Sequence, residues 1–258
     1  MNTSTNGRPR TARRSLLLAL VTSLIAAGGC GAGAELTGSS EGAQTAAPAV
    51  WATEQWTDRV AWYRTEQGSH LIDYGVFMTL ERADASEPLA TRASLERFGF
   101  VYPPDAGLGT LTTDKRLPLG VLKDRDDAKN RDFVGFSCAT CHTGEIVHKG
   151  KRILVDGGQT FLQFEPFVAS LQQALDATLS NAAKKGRFCE KLGDASGCDA
   201  RLVESKKRID EMRTRNRQTV PDGPGRLDAV SRILNEVFSP KGWAASSAAR
   251  GPSTYRSR

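Results

Sequence analysis

The stretch Val134–Gly144, VGFSCATCHTG, sets two thiols three positions apart, Cys138 and Cys141, and follows them at once with His142, one of three histidines in 258 residues. On a helical turn, positions i and i+3 share a face. Both sulfurs can therefore meet one flat partner while the next residue swings an imidazole beneath it. Covalent attachment of c-type haem needs this pattern: two thioethers to the porphyrin vinyl groups and a histidine on the iron. Cys138 and Cys141 are expected to carry one haem c, with His142 as the proximal iron ligand. Other uses of a CxxC pair fit less well. A zinc half-site would need two further ligands from His70, His148, Cys189 and Cys198. A thioredoxin-like redox pair needs a βαβ setting, and none surrounds Cys138.

The sixth position on such an iron has four candidates: Met78, Met212, His70 and His148. Met78 shares a helical pattern with Leu71, Tyr74 and Phe77 and reads as core. Met212 sits on the most charged helix and reads as surface. His148 falls at a hairpin turn and reads as exposed, while His70 follows a capping serine and fits either role. An open or water-bound position is the fifth option. The choice matters, because a strong Met or His ligand suits an electron carrier and an open iron suits oxygen or peroxide chemistry.

The other three cysteines have separate uses. Cys189 and Cys198 flank EKLGDASG, a short segment rich in turn formers, and are expected to form a disulfide. Cys30 ends an export signal. Arg8, Arg10, Arg13 and Arg14 lead into the apolar run SLLLALVTSLIAAGG, too short for a membrane span, and AAGGC places small residues before the cysteine. Residues 1–30 thus read as a lipoprotein-type signal peptide with Cys30 as the lipidated residue, although Ala27 stands where leucine is usual. The alternative is ordinary cleavage after Ala34. Either route puts the mature chain outside the cytoplasm. The expectation is a periplasmic protein held by a lipid anchor, with a soluble periplasmic or secreted form as the alternative.

Charge argues against a nucleic-acid partner. The net charge is +6, but residues 1–34 and 239–258 each carry +4 and no acid, leaving −2 for the middle. A near-neutral body has no basic footprint for phosphates.

The elements that must position the motif read as mainly helical. Residues 31–50 are a small-residue tether, 51–238 a haem domain, and 239–258 a disordered or aberrant tail without acid or apolar period. Helices are expected over 51–68, over 70–82 behind a Ser69 cap, and over 87–99 behind a Ser86 cap. The polar stretch 103–132 reads as a long loop with little regular structure. After the motif, residues 145–158 alternate and turn at Lys149–Lys151, reading as a β-hairpin. Three more helices follow: 164–185, stopped by Gly186; a charged one over 199–217; and one over 225–238 with Leu227, Val230, Ile233 and Val237 aligned. The predicted class is mainly α: a cytochrome c-like haem domain with a small β-hairpin and long loops.

The flanks of the motif carry a resemblance. QGSHLIDYGVFMTLE (Gln67–Glu81), RFGFVYPPD, RLPLGV, VGFSCATCHTGEIVHKGKRILVDGG (Val134–Gly158) and GPGRLDAVSRILNEVF occur in that order. Together, over about residues 51–238, they resemble the exported dihaem cytochromes related to rubber oxygenase and, more distantly, bacterial dihaem cytochrome c peroxidases. The resemblance implies haem on Cys138 and Cys141, His142 as proximal ligand, and electron transfer with a periplasmic redox partner or haem-dependent oxidation using dioxygen or peroxide. Two departures limit it. That family carries a second CxxCH in a C-terminal half, and this chain has one CxxCH. The family-like blocks end near Phe238. The chain is therefore expected to be the N-terminal half of a longer cytochrome, or a single-haem relative with a replaced end. Its functional options are an oxygenase or peroxidase, a non-catalytic electron carrier, or a haem-binding fragment.

Overall fold

Two hairpins, one on each side of the CxxCH segment, frame the chain. The computed structural model describes residues 50–52, 58–104, 109–218 and 222–238. The signal segment with Cys30, the tether up to residue 49, and the tail 239–258 lie outside them. Of the described residues, 44% are helical and 18% are strand. The fold is mixed α/β with two small sheets, which corrects the mainly α, cytochrome c-like expectation.

The first sheet contains β2 (Ile72–Asp73), β4 (Arg131–Phe136) and β3 (Val121–Asp126) in that order, antiparallel throughout. The second contains β1 (Val50–Trp51), β6 (Lys151–Asp156) and β5 (Thr143–His148), with β1 parallel to β6 and β5 antiparallel to it. The β5–β6 hairpin turns where its sequence suggests. Lys149 (φ +49°) and Gly150 (φ +73°) both occupy the left-handed region, as a two-residue turn matched to strand twist requires.

The stretch read as a loop holds β3 and the start of β4. Charge pairs replace apolar alternation there: Asp132 receives Lys123 Nζ at 3.0 Å and Arg125 Nη1 at 3.3 Å across the ladder. The core takes the start of β3, Val121 and Leu122, and the middle of β4, Phe133 and Val134.

The N-terminal helices are shorter than their periodicity suggests: α1 (Arg59–Arg64), α2 (Tyr74–Thr79) and α3 (Arg92–Glu96). Residues 70–73 fail to begin a helix because Leu71 N and Ile72 pair with Val134 on β4. Asp73 then caps α2 by accepting from Val76 N, displacing Ser69 from that role. Thr91, not Ser86, caps α3. Gly99 (φ +85°) follows it with its backbone against the Phe161 carbonyl, an approach that only a residue without Cβ allows.

The one-turn helix α4 (Cys138–Cys141) is followed by the β5–β6 hairpin and then by the long helices α5 (Phe164–Ser180), α6 (Ala182–Leu192), α7 (Cys198–Arg215) and α8 (Ala229–Phe238). On α5, Phe164, Phe167, Val168, Leu171, Ala174, Leu175 and Thr178 form one buried stripe. The stop comes at Asn181, five residues before the predicted Gly186. Asn181 is extended, and its side chain accepts from Lys184 N, so it closes α5 and opens α6. Gly186 lies inside α6, and Gly193, left-handed at φ +69°, ends that helix. No helix among the described residues is long and apolar enough to cross a membrane.

Phe167 organises the larger core, with edge-to-face contacts to Phe77, Phe98 and Phe100 at 6.4, 5.8 and 4.8 Å. A smaller core gathers Tyr63, Leu111, Leu119, Ala139 and Leu154. Ala139 belongs to α4, so the CxxCH turn is itself part of a packed core.

The sulfurs of Cys189 and Cys198 lie 2.01 Å apart and join the end of α6 to the start of α7. Replacing both with serine is expected to lower stability by about 2–3 kcal/mol, since so short a closed loop restricts the unfolded chain only moderately. Equal urea midpoints for the double variant and the oxidised parent would contradict this.

Glu81 is 2% exposed and gathers Arg187 through two hydrogen bonds of 2.9 and 2.7 Å, with Lys191 at 3.2 Å and Lys184 at 3.6 Å. The Arg187 hydrogen bonds hold its carboxyl down at about 2, against burial that pushes the other way. Its folded value lies below the ordinary one. Its contribution is therefore complete above about pH 4.5 and is lost as pH falls towards 2. Glu81→Gln is expected to cost about 2 kcal/mol near neutral pH, with the gap to wild type closing between pH 4.5 and 2. A gap independent of pH in denaturant titrations would contradict this assignment.

Candidate haem site

The CxxCH turn is fixed at both ends and in the middle. Ser137 caps it, its hydroxyl accepting from Ala139 N at 3.2 Å. Thr140 Oγ1 donates to the Gly120 carbonyl at 2.7 Å, and Ser137 N donates to the same oxygen at 2.8 Å. At the far end, His142 N donates to Cys138 O at 3.0 Å, and Gly157 N donates to His142 O at 2.9 Å. Behind the turn, Tyr63 donates to Asp156 at 2.5 Å and accepts from Thr143 Oγ1 at 3.3 Å, while Arg59 sits 2.9 Å from the same aspartate. Burial and then the Asp156 carboxylate raise the Tyr63 phenol above its ordinary value, so it remains a donor. The frame of α4 is built from the chain's own hydrogen bonds and ion pairs.

Both thiols are free. Cys138, Cys141 and His142 open into one cavity of about 500 Å³, within the usual range for cofactor pockets. Its walls come from distant elements: Gln67–Leu71, Phe136, Phe164, one face of α7 and one face of α8. Burial pushes the Cys141 thiol up to about 11, partly offset by the positive field of Arg232. The βαβ setting of a thioredoxin-like redox pair is missing here: α4 runs between β4 and β5, which belong to different sheets. Zinc gains no support either. The clusters of potential metal ligands among the described residues are Cys189–Cys198–Asp199, whose sulfurs are joined, and Glu66–His70–Asp124; neither includes the motif.

Two further observations test whether haem fits. Ile233 and Val237 on α8 line the cavity, yet are 45% and 57% exposed. A large flat apolar group held by the thiols would cover them. Arg232 is 8% exposed, stands 4.8 Å over the Phe164 ring, and pairs with Asp222 and with Glu165 at 3.0 Å. Its buried Nε has no hydrogen-bond partner. That one donor, left over after both carboxylate pairs, can take an acceptor oxygen from a ligand. The residues present fit haem.

The cavity also sorts the four candidates for the sixth position. His70 and Met212 line it; Met78 and His148 do not. Met78 packs against the larger core, and His148 is exposed at its hairpin end, as their local patterns suggest. Met212 is a correction: it is half-buried against the core on the cavity wall, not a surface residue of α7. His70 is held by carboxylates, with Nε2 2.5 Å from Asp124 and Nδ1 3.7 Å from Asp126. Arg208 and Arg215 carry no motif signal, and although Gly120 and Arg232 fall in the blocks RLPLGV and GPGRLDAVSRILNEVF, nothing in those blocks marks them as site residues. Their roles depend on contacts between distant segments.

No protein-family model matches the chain, and no solved structure matches it. Among curated proteins it is similar to "Uncharacterized protein y4iJ" of Sinorhizobium fredii, at 29% identity over 231 residues, covering 77% of this chain and 38% of that protein. The chain spans well under half the length of that relative.

Proposed function

We propose that the chain is an exported haem protein that carries one haem c on Cys138 and Cys141, with His142 on the iron, and works in electron transfer with a periplasmic redox partner. The observation that carries the proposal is the opening of both free thiols and the His142 imidazole into one cavity with an apolar wall and a buried, partly unsatisfied arginine. Each thiol would add across a haem vinyl group, giving two thioethers with no leaving group. Bound haem would supply one-electron chemistry, and oxygen or peroxide chemistry as well if its iron kept an open position.

The chain's own groups would do the rest. The α4 frame holds the thiols and imidazole in register. Phe136, Phe164, Ile233 and Val237 give an apolar lining against which the macrocycle would pack. Arg208, Arg215 and Arg232, which line the cavity together with Glu211 and Glu236, would offer N–H donors to the acidic edge of the cofactor. Kinship with the N-terminal half of the rubber oxygenase-related dihaem cytochromes belongs to the same proposal. So does export, through lipidation at Cys30 or cleavage after Ala34. An oxidation catalysed on dioxygen or peroxide is the second reading, favoured only if the iron has no sixth ligand from the protein.

The test is expression with a c-type haem maturation system, followed by haem-peroxidase staining of a denaturing gel. A stained band at the mass of the chain is expected. An unstained band from correctly exported protein would overturn the proposal.

A further inference from the structure

We infer that Met212 is the sixth ligand of the haem iron, which makes the site a six-coordinate electron-transfer centre and not an open oxygen- or peroxide-activating one. The inference rests on the haem proposal and decides between its two chemistries. Its basis is the shape of the cavity and the state of the competing side chains.

His142 and Met212 line the same cavity, from α4 and from α7. The main packing partners of the two elements differ: α7 packs on α5, α6, α2, β2 and α8, and α4 on α1. The imidazole and the thioether thus reach one cavity from separately anchored elements, as two ligands of one iron can. Met212 is half-buried against the larger core, on a helix tied at its start by the Cys189–Cys198 bond and at its end by Arg215 and Asn216 to Glu236, at 2.7 and 2.8 Å.

The rival on the wall is His70, and its Nε2 is already taken. Nε2 is hydrogen-bonded to Asp124 at 2.5 Å, and Nδ1 lies on the side of Asp126, 3.7 Å away. Its ring also stacks on Phe133 at 5.1 Å. Turning it towards an iron would break all three contacts.

The neighbours of Met212 suit the same geometry. Arg208, Met212 and Arg215 stand at i, i+4 and i+7 on one face of α7, and all three line the cavity. A thioether between two guanidinium groups can meet an iron while the cations meet carboxylates at the edge of the macrocycle. A methionine on the iron also raises its reduction potential relative to histidine, which suits electron delivery.

The test compares haem-loaded wild type with Met212→Leu, Met212→His and His70→Ala, reading bound haem by denaturing-gel stain and iron coordination by absorption and electron paramagnetic resonance. All four proteins should stain equally, which separates ligation from attachment. Wild type should be low-spin, show the far-red charge-transfer band of thioether-ligated ferric haem, and bind carbon monoxide poorly when reduced. Met212→Leu keeps the packing volume and should lose that band, turn high-spin and bind carbon monoxide at least tenfold more readily. Met212→His should stay low-spin without the band and at a lower potential. His70→Ala should leave coordination unchanged. A high-spin wild type, an unaltered spectrum in Met212→Leu, or lost ligation in His70→Ala would each overturn the inference. Absence of covalent haem in wild type would remove the haem proposal and this inference with it.

Discussion

Changing Cys138 and Cys141 together to alanine is expected to abolish covalent haem completely, leaving an unstained chain at normal abundance. Both sulfurs open into the cavity, and neither belongs to a core cluster: Cys138 is exposed, Cys141 is half-buried at the cavity wall, and the α4 residue in the smaller core is Ala139. The turn itself is held by Ser137, Thr140 and the His142 backbone, none of which the substitutions touch. Folding should therefore survive, with a change in thermal midpoint equivalent to less than about 1 kcal/mol. Each single variant should retain one thioether and stain at reduced strength. His142→Ala should keep covalent haem but shift the spectrum to weak-field ligation. A double variant that stains at full strength would place the attachment elsewhere.

The second large effect is expected from a residue that touches no ligand. Gly120 is left-handed at φ +78°, and a Cβ built there would lie 2.3 Å from Thr140 N and 2.8 Å from the Ala139 carbonyl carbon. Both are backbone atoms of the CxxCH turn, so no rotamer change relieves the clash. Gly120→Ala should cost about 3 kcal/mol or more, combining left-handed strain of about 1 kcal/mol with displacement of packed backbone. It should also lower haem attachment several-fold, because the displaced helix carries both thiols. Gly150→Ala is the control. It is left-handed at φ +73° too, but its Cβ meets nothing within 4 Å. It should cost about 1 kcal/mol and leave haem incorporation unchanged. Equal effects of the two substitutions on attachment would show that Gly120 does not set the position of α4.

What the sequence made legible was local. The CxxCH turn, the β5–β6 hairpin and the buried stripe of α5 each lie within one short segment whose pattern needs no distant partner. Where a distant partner decided, the pattern misled. Residues 70–73 carry helical spacing, yet pairing of Ile72 with Val134 draws them into a sheet. β3 and β4 are hidden because their exposed faces are matched by salt bridges such as Lys123–Asp132, so the stretch has the composition of a loop. Gly186 looked like a stop, but a glycine inside a helix costs only about 1 kcal/mol, and Asn181 makes the real break with its own side chain. The same division holds at the site. The thiols and His142 follow from spacing, whereas the wall of Met212, Arg208 and Arg232 exists only because α7 and α8 fold back over the turn. An amphipathic stripe shows that a helix has a face to bury, not what that face will meet.

The central claim is that haem is bonded to the two cysteines of α4. Trypsin should cut after Arg131 and Lys149, releasing Asp132–Lys149 with both thiols and His142 on one peptide. Tandem mass spectrometry of that peptide from protein matured outside the cytoplasm is the direct measurement. A mass increased by one haem, with both sulfurs blocked to alkylation and fragment ions placing the addition on Cys138 and Cys141, is the expected result. An unmodified peptide with two alkylatable thiols, or one closed by a Cys138–Cys141 disulfide, would contradict it.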